Sequence, residues 1–290
     1  MAQVGSLRHV TSMQFGDYRI EVVPDTEFRL DGGAMFGVVP RNLWSKVCPP
    51  DEQNRVRLNM NCLFIDTGSE RILIDTGIGE KWPARQAAMY GIERRQSLGE
   101  SLRAVAGCGA EEISIVVNTH LHFDHAGGNT KLNAEGNAVA AFHNARYFVS
   151  RAEYEHAEAP TERDRASYLP ENWRPLLASG QLELKEGNYE IAPGIRMETH
   201  AGHNRSMQCP RLAIDGQTLF GFADLVPTRA HVQFAWIMGY DLYPVETLAA
   251  KKKLLPQAAR EDWLCLFYHD PEVPLGRIVD EGGKFHAVRG

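Results

Sequence analysis

Residues 18–23 alternate apolar and polar side chains with the period of two that a half-buried strand requires. Two further β-rich runs, 62–65 and 71–75, flank Thr67-Gly68-Ser69-Glu70, a composition that suits an antiparallel hairpin. The period then changes. Across 97–106, Leu98, Leu102 and Val105 fall at helical spacing, with Gly107 and Gly109 as stops. The run 113–117 reads as a buried strand that ends just before His120. Beyond it, 139–142 and 147–149 are predicted strands, 151–159 a short helix, and 161–180 a polar excursion with Pro170 and Pro175, placed to cover a site. Runs 211–214 and 218–222 flank Asp215-Gly216, a strong hairpin signal. Pro244 opens a helix to about residue 259, and 263–268 is an apolar strand ending at His269. Each half is strand-rich with helices outside, so the pattern predicts an α/β (α+β) chain whose two sheets pack face to face between helical layers. The expected organisation is one domain over 1–290, with halves at about 15–150 and 180–290 and the excursion at about 151–180.

Composition narrows the partners. A chain of 290 residues that is 43% hydrophobic and 23% charged buries a sizeable core and is neither disordered nor fibrous. The net charge of −6, from 31 Lys+Arg against 37 Asp+Glu, offers no basic footprint for a phosphate backbone, so no nucleic-acid partner is expected. No apolar run reaches the roughly 20 residues of a spanning helix, and 1–15 lacks a signal-peptide core, so a cytoplasmic protein without a membrane partner is expected. Cys48, Cys62, Cys108, Cys209 and Cys265 are scattered and never form Cys-x-x-Cys, which predicts neither a disulfide framework nor a thiolate zinc site.

The chemistry concentrates in Asn118-Thr119-His120-Leu121-His122-Phe123-Asp124-His125-Ala126-Gly127-Gly128. A single histidine on an apolar face is usually a satisfied structural residue. Three imidazoles and a carboxylate crowded into six residues after a buried strand would desolvate and repel one another without a cation. In an extended segment His120 and His122 project to one side and chelate one ion, leaving Asp124 and His125 for a neighbouring ion. Imidazole and carboxylate without thiolate suit Zn²⁺ best, with Fe and Mn also accepted. Further donors stand at predicted strand ends or loops: His203 in Thr199-His200-Ala201-Gly202-His203, Asp224 after the second hairpin, and His269. His9, His143, His156 and His286 have no such context and are expected to be surface or structural, and Asp75 a hydrogen-bonding residue beneath the site.

The order His-x-His-x-Asp-His, then a distant His, Asp and His, resembles the metallo-β-lactamase superfamily, as does Ile72-Leu73-Ile74-Asp75-Thr76-Gly77. The resemblance covers most of the chain and implies a four-layer αββα sandwich with two divalent metal ions. It implies His120, His122 and His203 on one ion, Asp124, His125 and His269 on the other, and Asp224 bridging both. Such a pair of cations would lower the pKa of a shared water towards neutrality and polarise an ester carbonyl or a phosphoryl centre for its attack. Asp124 could relay a proton to the leaving group while remaining a ligand, so Asp124 and Asp224 are the expected catalytic residues.

Within the superfamily, the motif wording is similar to N-acyl-homoserine lactonases, so a small lactone or related ester is the expected substrate. Those enzymes often carry a tyrosine three residues after the bridging Asp, where this chain has Pro227, and Tyr240 or Tyr243 stands nearby in sequence. The tail Gly276-Arg277-Ile278-Val279-Asp280-Glu281-Gly282-Gly283-Lys284-Phe285 resembles the methyl-parathion-hydrolase-like branch, which keeps phosphotriester and aryl ester cleavage as an alternative. A mononuclear iron sulfur dioxygenase, using part of the same ligand set, is the other alternative. Met35 and Phe36, in an exposed-looking apolar loop, Trp44, His231, Trp236, Met238 and Tyr240 are candidates for the substrate wall. The same residues equally suit a satellite core or the contact of a homodimer.

Overall fold

Two seven-stranded sheets carry the chain in the computed structural model, which describes residues 12–290. The first sheet begins with β1 (Met13–Phe15), β2 (Tyr18–Asp31), β3 (Arg55–Asp66), β4 (Arg71–Ile74) and β5 (Ile115–Val117). After a detached hairpin of β6 (Thr130–Leu132) and β7 (Ala138–Ala140), it is completed by β8 (Arg146–Ser150) and β9 (Leu182–Lys185). From β1 to β4 neighbours are antiparallel, and β5, β8 and β9 then add in parallel. The second sheet follows the chain in order: β10 (Tyr189–Ala192), β11 (Ile195–Thr199), β12 (Gln208–Ile214), β13 (Gln217–Gly221), β14 (Leu264–Leu266), β15 (Leu275–Asp280) and β16 (Phe285–Arg289). Only β13 and β14 run parallel in it, joined over helix Pro244–Arg260.

The alternation of side chains decides what each sheet faces. In β14, Leu264 and Leu266 join a core shared with Ile20, Leu63, Ile74 and Val117 of the first sheet. Cys265, with Trp263 and Phe267 beside it, points the other way, into a second cluster with Leu254, Leu255 and Ala258 of helix Pro244–Arg260. Each fully buried leucine there stabilises the layer by about 1.5–3 kcal/mol. On the first sheet, helix Leu98–Ala106 buries Leu98, Leu102 and Ala106; Ser97 caps it by accepting from Glu100 N, and Gly107 leaves it at a φ of 67°. The layers are helix, sheet, sheet, helix, as expected.

Several expectations change at the level of elements. Strands predicted at 18–23 and 62–65 extend to Tyr18–Asp31 and Arg55–Asp66, because a register shift between Pro24 and Glu27 absorbs the proline that breaks the alternation. The predicted strand 139–142 is β7, in the detached hairpin rather than in either sheet. The first sheet extends past the excursion, since β9 pairs with β8, and the second sheet begins at β10. The apolar loop at 32–40 is in part a short helix, Gly32–Phe36, capped by Asp31, which buries Met35 and Phe36 and leaves Val38 exposed.

Candidate metal centre

Four of the chemically important residues follow strands that run parallel to a neighbour. Asp75 follows β4, His120 follows β5, Asp224 follows β13 and His269 follows β14. Two turns there hold non-glycine residues in left-handed backbone, Asp75 at φ 60° and Ala223, just before Asp224, at φ 45°. Such strain persists where surrounding contacts over-determine it. Asp75 shows how: its amide donates to Val117 O, and its carboxylate accepts from Thr119 N, Thr119 Oγ1 and His125 Nδ1, each at 2.8 Å. Thr119 Oγ1 also lies 3.1 Å from His120 Nδ1. The following turn is pressed against residues 76–78: a Cβ on Gly127 would lie 2.2 Å from Ile78 O, and one on Gly128 2.1 Å from Thr76 O. The glycines therefore permit an approach that no other residue allows.

The second half adds donors with their own supports. His203 Nδ1 donates to Asp241 Oδ1 at 3.0 Å, and Thr247 Oγ1 donates to Asp241 Oδ2 at 2.6 Å. His269 Nδ1 donates to Asn59 O at 3.0 Å. With those nitrogens occupied, His203 and His269 turn Nε2 inward, the arrangement that orients a ligand imidazole.

Seven side chains converge, all buried. His120, His122, His203 and Asp224 offer donor atoms within 4.8 Å of one another, and so do Asp124, His125 and His269. Asp224 divides its oxygens between the groups: Oδ1 lies 2.9 Å from His269 Nε2 and 3.1 Å from His125 Nε2, whereas Oδ2 lies 3.4 Å from His203 Nε2. His203 Nε2 and His122 Nδ1 face each other at 3.0 Å, and His125 Nε2 and His269 Nε2 at 3.1 Å. His120 Nε2, in the group of His122 and His203, is buried with no hydrogen-bond partner. Leaving a buried polar atom unpartnered costs about 1–3 kcal/mol, so the arrangement fits cations that collect these donors. The two groups suit two divalent metal sites by number, chemistry and spacing.

Electrostatics sorts the donors. Burial, then the neighbouring imidazoles, hold His120 and His122 well below the usual histidine range. Burial also opposes charge on His125 and His203, yet Asp224 and Asp75 raise the first well above that range and Asp224 and Asp241 raise the second, so a cation bound there would displace their protons. Burial opposes charge on Asp224, yet His269, His125 and His203 outweigh it and hold the carboxyl well below its ordinary value.

The other expected site residues fall differently. Phe36 stacks on Trp44 at 5.2 Å and on His231 at 4.7 Å and meets Trp236 edge-on at 5.6 Å. His231 is held between Thr228 Oγ1 and Met35 O, each at 2.8 Å. Met35, Phe36, Trp44, His231 and Met238 are buried in this packed cluster, Trp236 is half-buried and Tyr240 is exposed. His200, His143, His156 and His286 lie outside both donor groups, and His9 lies outside the described residues. From the excursion, Tyr168 packs its ring 4.7 Å from that of His122.

Residues without an advance signal also stand at the site. Trp82, Tyr90 and Phe123 form a triangle of rings 5.0–5.3 Å apart beside Asp124. Burial and the Asp124 charge raise the Tyr90 phenol. Asp124 thus faces an aromatic rim. Phe123 was visible inside the motif, but Trp82 and Tyr90 carry no spacing that marks them.

Fold and site together define a metal-dependent hydrolase. The Metallo-beta-lactamase superfamily profile matches residues 56–269, and the chain belongs to that superfamily. It is 29% identical over 243 residues to an N-acyl homoserine lactonase of Bacillus cereus, covering 77% of this chain and 86% of that one. A probable metal-dependent hydrolase from Staphylococcus aureus superposes with a TM-score of 0.87 at 30% identity, over 96% of this chain and 99% of that one. The dizinc quorum-quenching lactonase AidC, in complex with a product, shares the fold at a TM-score of 0.78 and 20% identity, over 97% of each chain. No helix among the described residues is long and apolar enough to cross a membrane.

Proposed function

We propose that this chain is a dinuclear metal-dependent hydrolase that opens a lactone or closely related ester, with N-acyl homoserine lactones as the leading substrate class. The observation that carries the proposal is the convergence of seven buried donors in two groups, with the oxygens of Asp224 divided between them. The lactone preference draws support from the curated relatives, which are N-acyl homoserine lactonases.

In this reading His120, His122 and His203 hold one cation, Asp124, His125 and His269 hold the other, and Asp224 serves both. Two divalent cations, Zn²⁺ by the donor chemistry, supply a Lewis acid for the ester carbonyl and lower the pKa of water towards neutrality. The protein's own part is orientation and proton handling. Asp75 fixes His125, Asp241 fixes His203, and Asn59 fixes His269, so the donor nitrogens are set before substrate arrives. Asp124, at the aromatic rim, would accept the proton that the attacking water gives up and pass it to the leaving alkoxide oxygen as the ester bond breaks. Trp82, Tyr90 and Phe123 offer an apolar wall for an acyl group.

Metal quantification and a substrate panel on one preparation test the proposal. About two zinc equivalents per chain with lactone turnover are expected; one tightly held iron with oxygen consumption on a persulfide would overturn it. Asp224→Ala should lower bound metal below two equivalents and reduce turnover by more than about a hundredfold. If both metals and turnover survive that change, the ligand assignment is wrong.

A further inference from the structure

Helix Arg151–Glu158 contributes one charged side chain that never reaches solvent: Glu153 is 0% exposed. Four donors converge on its carboxylate. Oε1 accepts from the Leu121 amide at 2.9 Å and from the Tyr168 hydroxyl at 3.0 Å. Oε2 accepts from Asn204 Nδ2 at 2.9 Å and from Ser206 Oγ at 2.6 Å. Burying a carboxylate is tolerated only with such compensation.

The donors come from three stretches far apart in the sequence. Leu121 lies between His120 and His122, Asn204 and Ser206 follow His203, and Tyr168 belongs to the excursion. Tyr168 also pairs its backbone with His122 in an isolated bridge and sets its ring against that imidazole. Leu121 is the residue before His122 and Asn204 the residue after His203, so one carboxylate grips the chain beside each of the two imidazoles that face each other at 3.0 Å. The other donor group is braced elsewhere, His125 by Asp75 and His269 by Asn59.

We propose that Glu153 is a positioning residue that sets the separation of His122 and His203 and thereby controls metal retention in that half of the centre alone. The proposal rests on the reading of these residues as metal ligands. A carboxylate is required because it accepts at both oxygens; after Glu153→Gln the amide nitrogen is itself a donor and opposes the donors of one oxygen.

The test compares full-length wild type and Glu153→Gln, both loaded with Zn²⁺, by chelator competition well below the thermal transition of either, with melting curves measured alongside. The variant should release one of its two equivalents at about tenfold lower chelator concentration and retain the other as wild type does. In a His203→Ala background, where that half is already disabled, Glu153→Gln should move the remaining equivalent by less than about twofold. Tyr168→Phe and Ser206→Ala each remove one donor while keeping the carboxylate, and should shift the same equivalent by less than Glu153→Gln does. Parallel loss of both metals, or unchanged retention with only a lower melting temperature, would overturn the proposal by reducing Glu153 to a structural residue. Should Glu153→Gln fail to fold, unchanged retention in both milder variants overturns it equally. A wild type that takes up no metal would instead sink the metal-centre reading, and shows in the first titration.

Discussion

Asp241 is buried behind His203, and the orientation of that imidazole depends on it. One oxygen accepts from His203 Nδ1 and the other from Thr247, which ties the imidazole to helix Pro244–Arg260. Asp241→Asn keeps the shape but lets the amide present a donor to Nδ1, which would favour the tautomer whose proton sits on Nε2, the nitrogen that turns towards Asp224. Metal affinity and lactone turnover should each fall about 10- to 100-fold, measured by chelator titration and steady-state kinetics; wild-type values in both would show that Asp241 does not orient the ligand. The seven converging donors were legible because they are chemically costly when crowded and stand next to predicted strands. Asp241, Glu153 and Asn59 were not. Each meets its part of the site far along the chain, Glu153 at Leu121, 32 positions away, Asp241 at His203, 38 away, and Asn59, through its backbone carbonyl, at His269, 210 away, and Glu153 on a short helix reads as an ordinary solvent-facing charge.

At the level of elements, the turn after His125 is the tightest constraint on the site. Helix Phe123–Ala126 is too short to hold itself, and its placement comes from Thr76 N donating to His125 O at 2.8 Å and Gly128 N donating to Gly77 O at 3.1 Å. The methyl of Gly127→Ala would meet the Ile78 carbonyl at 2.2 Å, so one of the two segments must retreat and carry Asp124 and His125 with it. The expected outcome is loss of metal from the Asp124–His125–His269 group and a destabilisation of about 1–3 kcal/mol by urea titration. A variant that matches wild type in both would mean the turn has slack that the structure does not show. Elements with local signals were legible: helix Leu98–Ala106 has its periodicity and its glycine stop within its own sequence. Helix Ala84–Met89, by contrast, buries none of its residues and so has no amphipathic stripe to read. The full length of β2 and β3 was hidden because it is set by pairing across the register shift.

For the whole molecule, the second sheet and its helix must hold the site-bearing loops at neutral pH while burying a lysine. Lys251, on helix Pro244–Arg260, is 0% exposed and donates from Nζ to Gln233 O at 2.6 Å and Trp236 O at 2.8 Å. These bonds anchor the segment that carries His231 and Trp236 to the outer helix layer. Burial lowers its pKa from 10.5 to about 7, against the opposing pull of Asp241. Below pH 7 both folded and unfolded chains carry the proton, and the cost of burying the ammonium is present in full. Between pH 7 and 10.5 the unfolded chain holds more protons than the folded one, so this group makes stability rise with pH across that window. Lys251→Met removes the titration and leaves two carbonyls without their donor. Urea midpoints at intervals from pH 7 to 10 should therefore show the wild type gaining on the variant, at a limiting slope of about 1.4 kcal/mol per pH unit. Lys81, lowered by burial to about 8 where it holds Gly127 O and Thr130 O, contributes equally to both proteins and cancels in the difference. Parallel stability curves would show that Lys251 keeps an ordinary pKa in the folded chain, and that the two carbonyls bind a permanently charged ammonium.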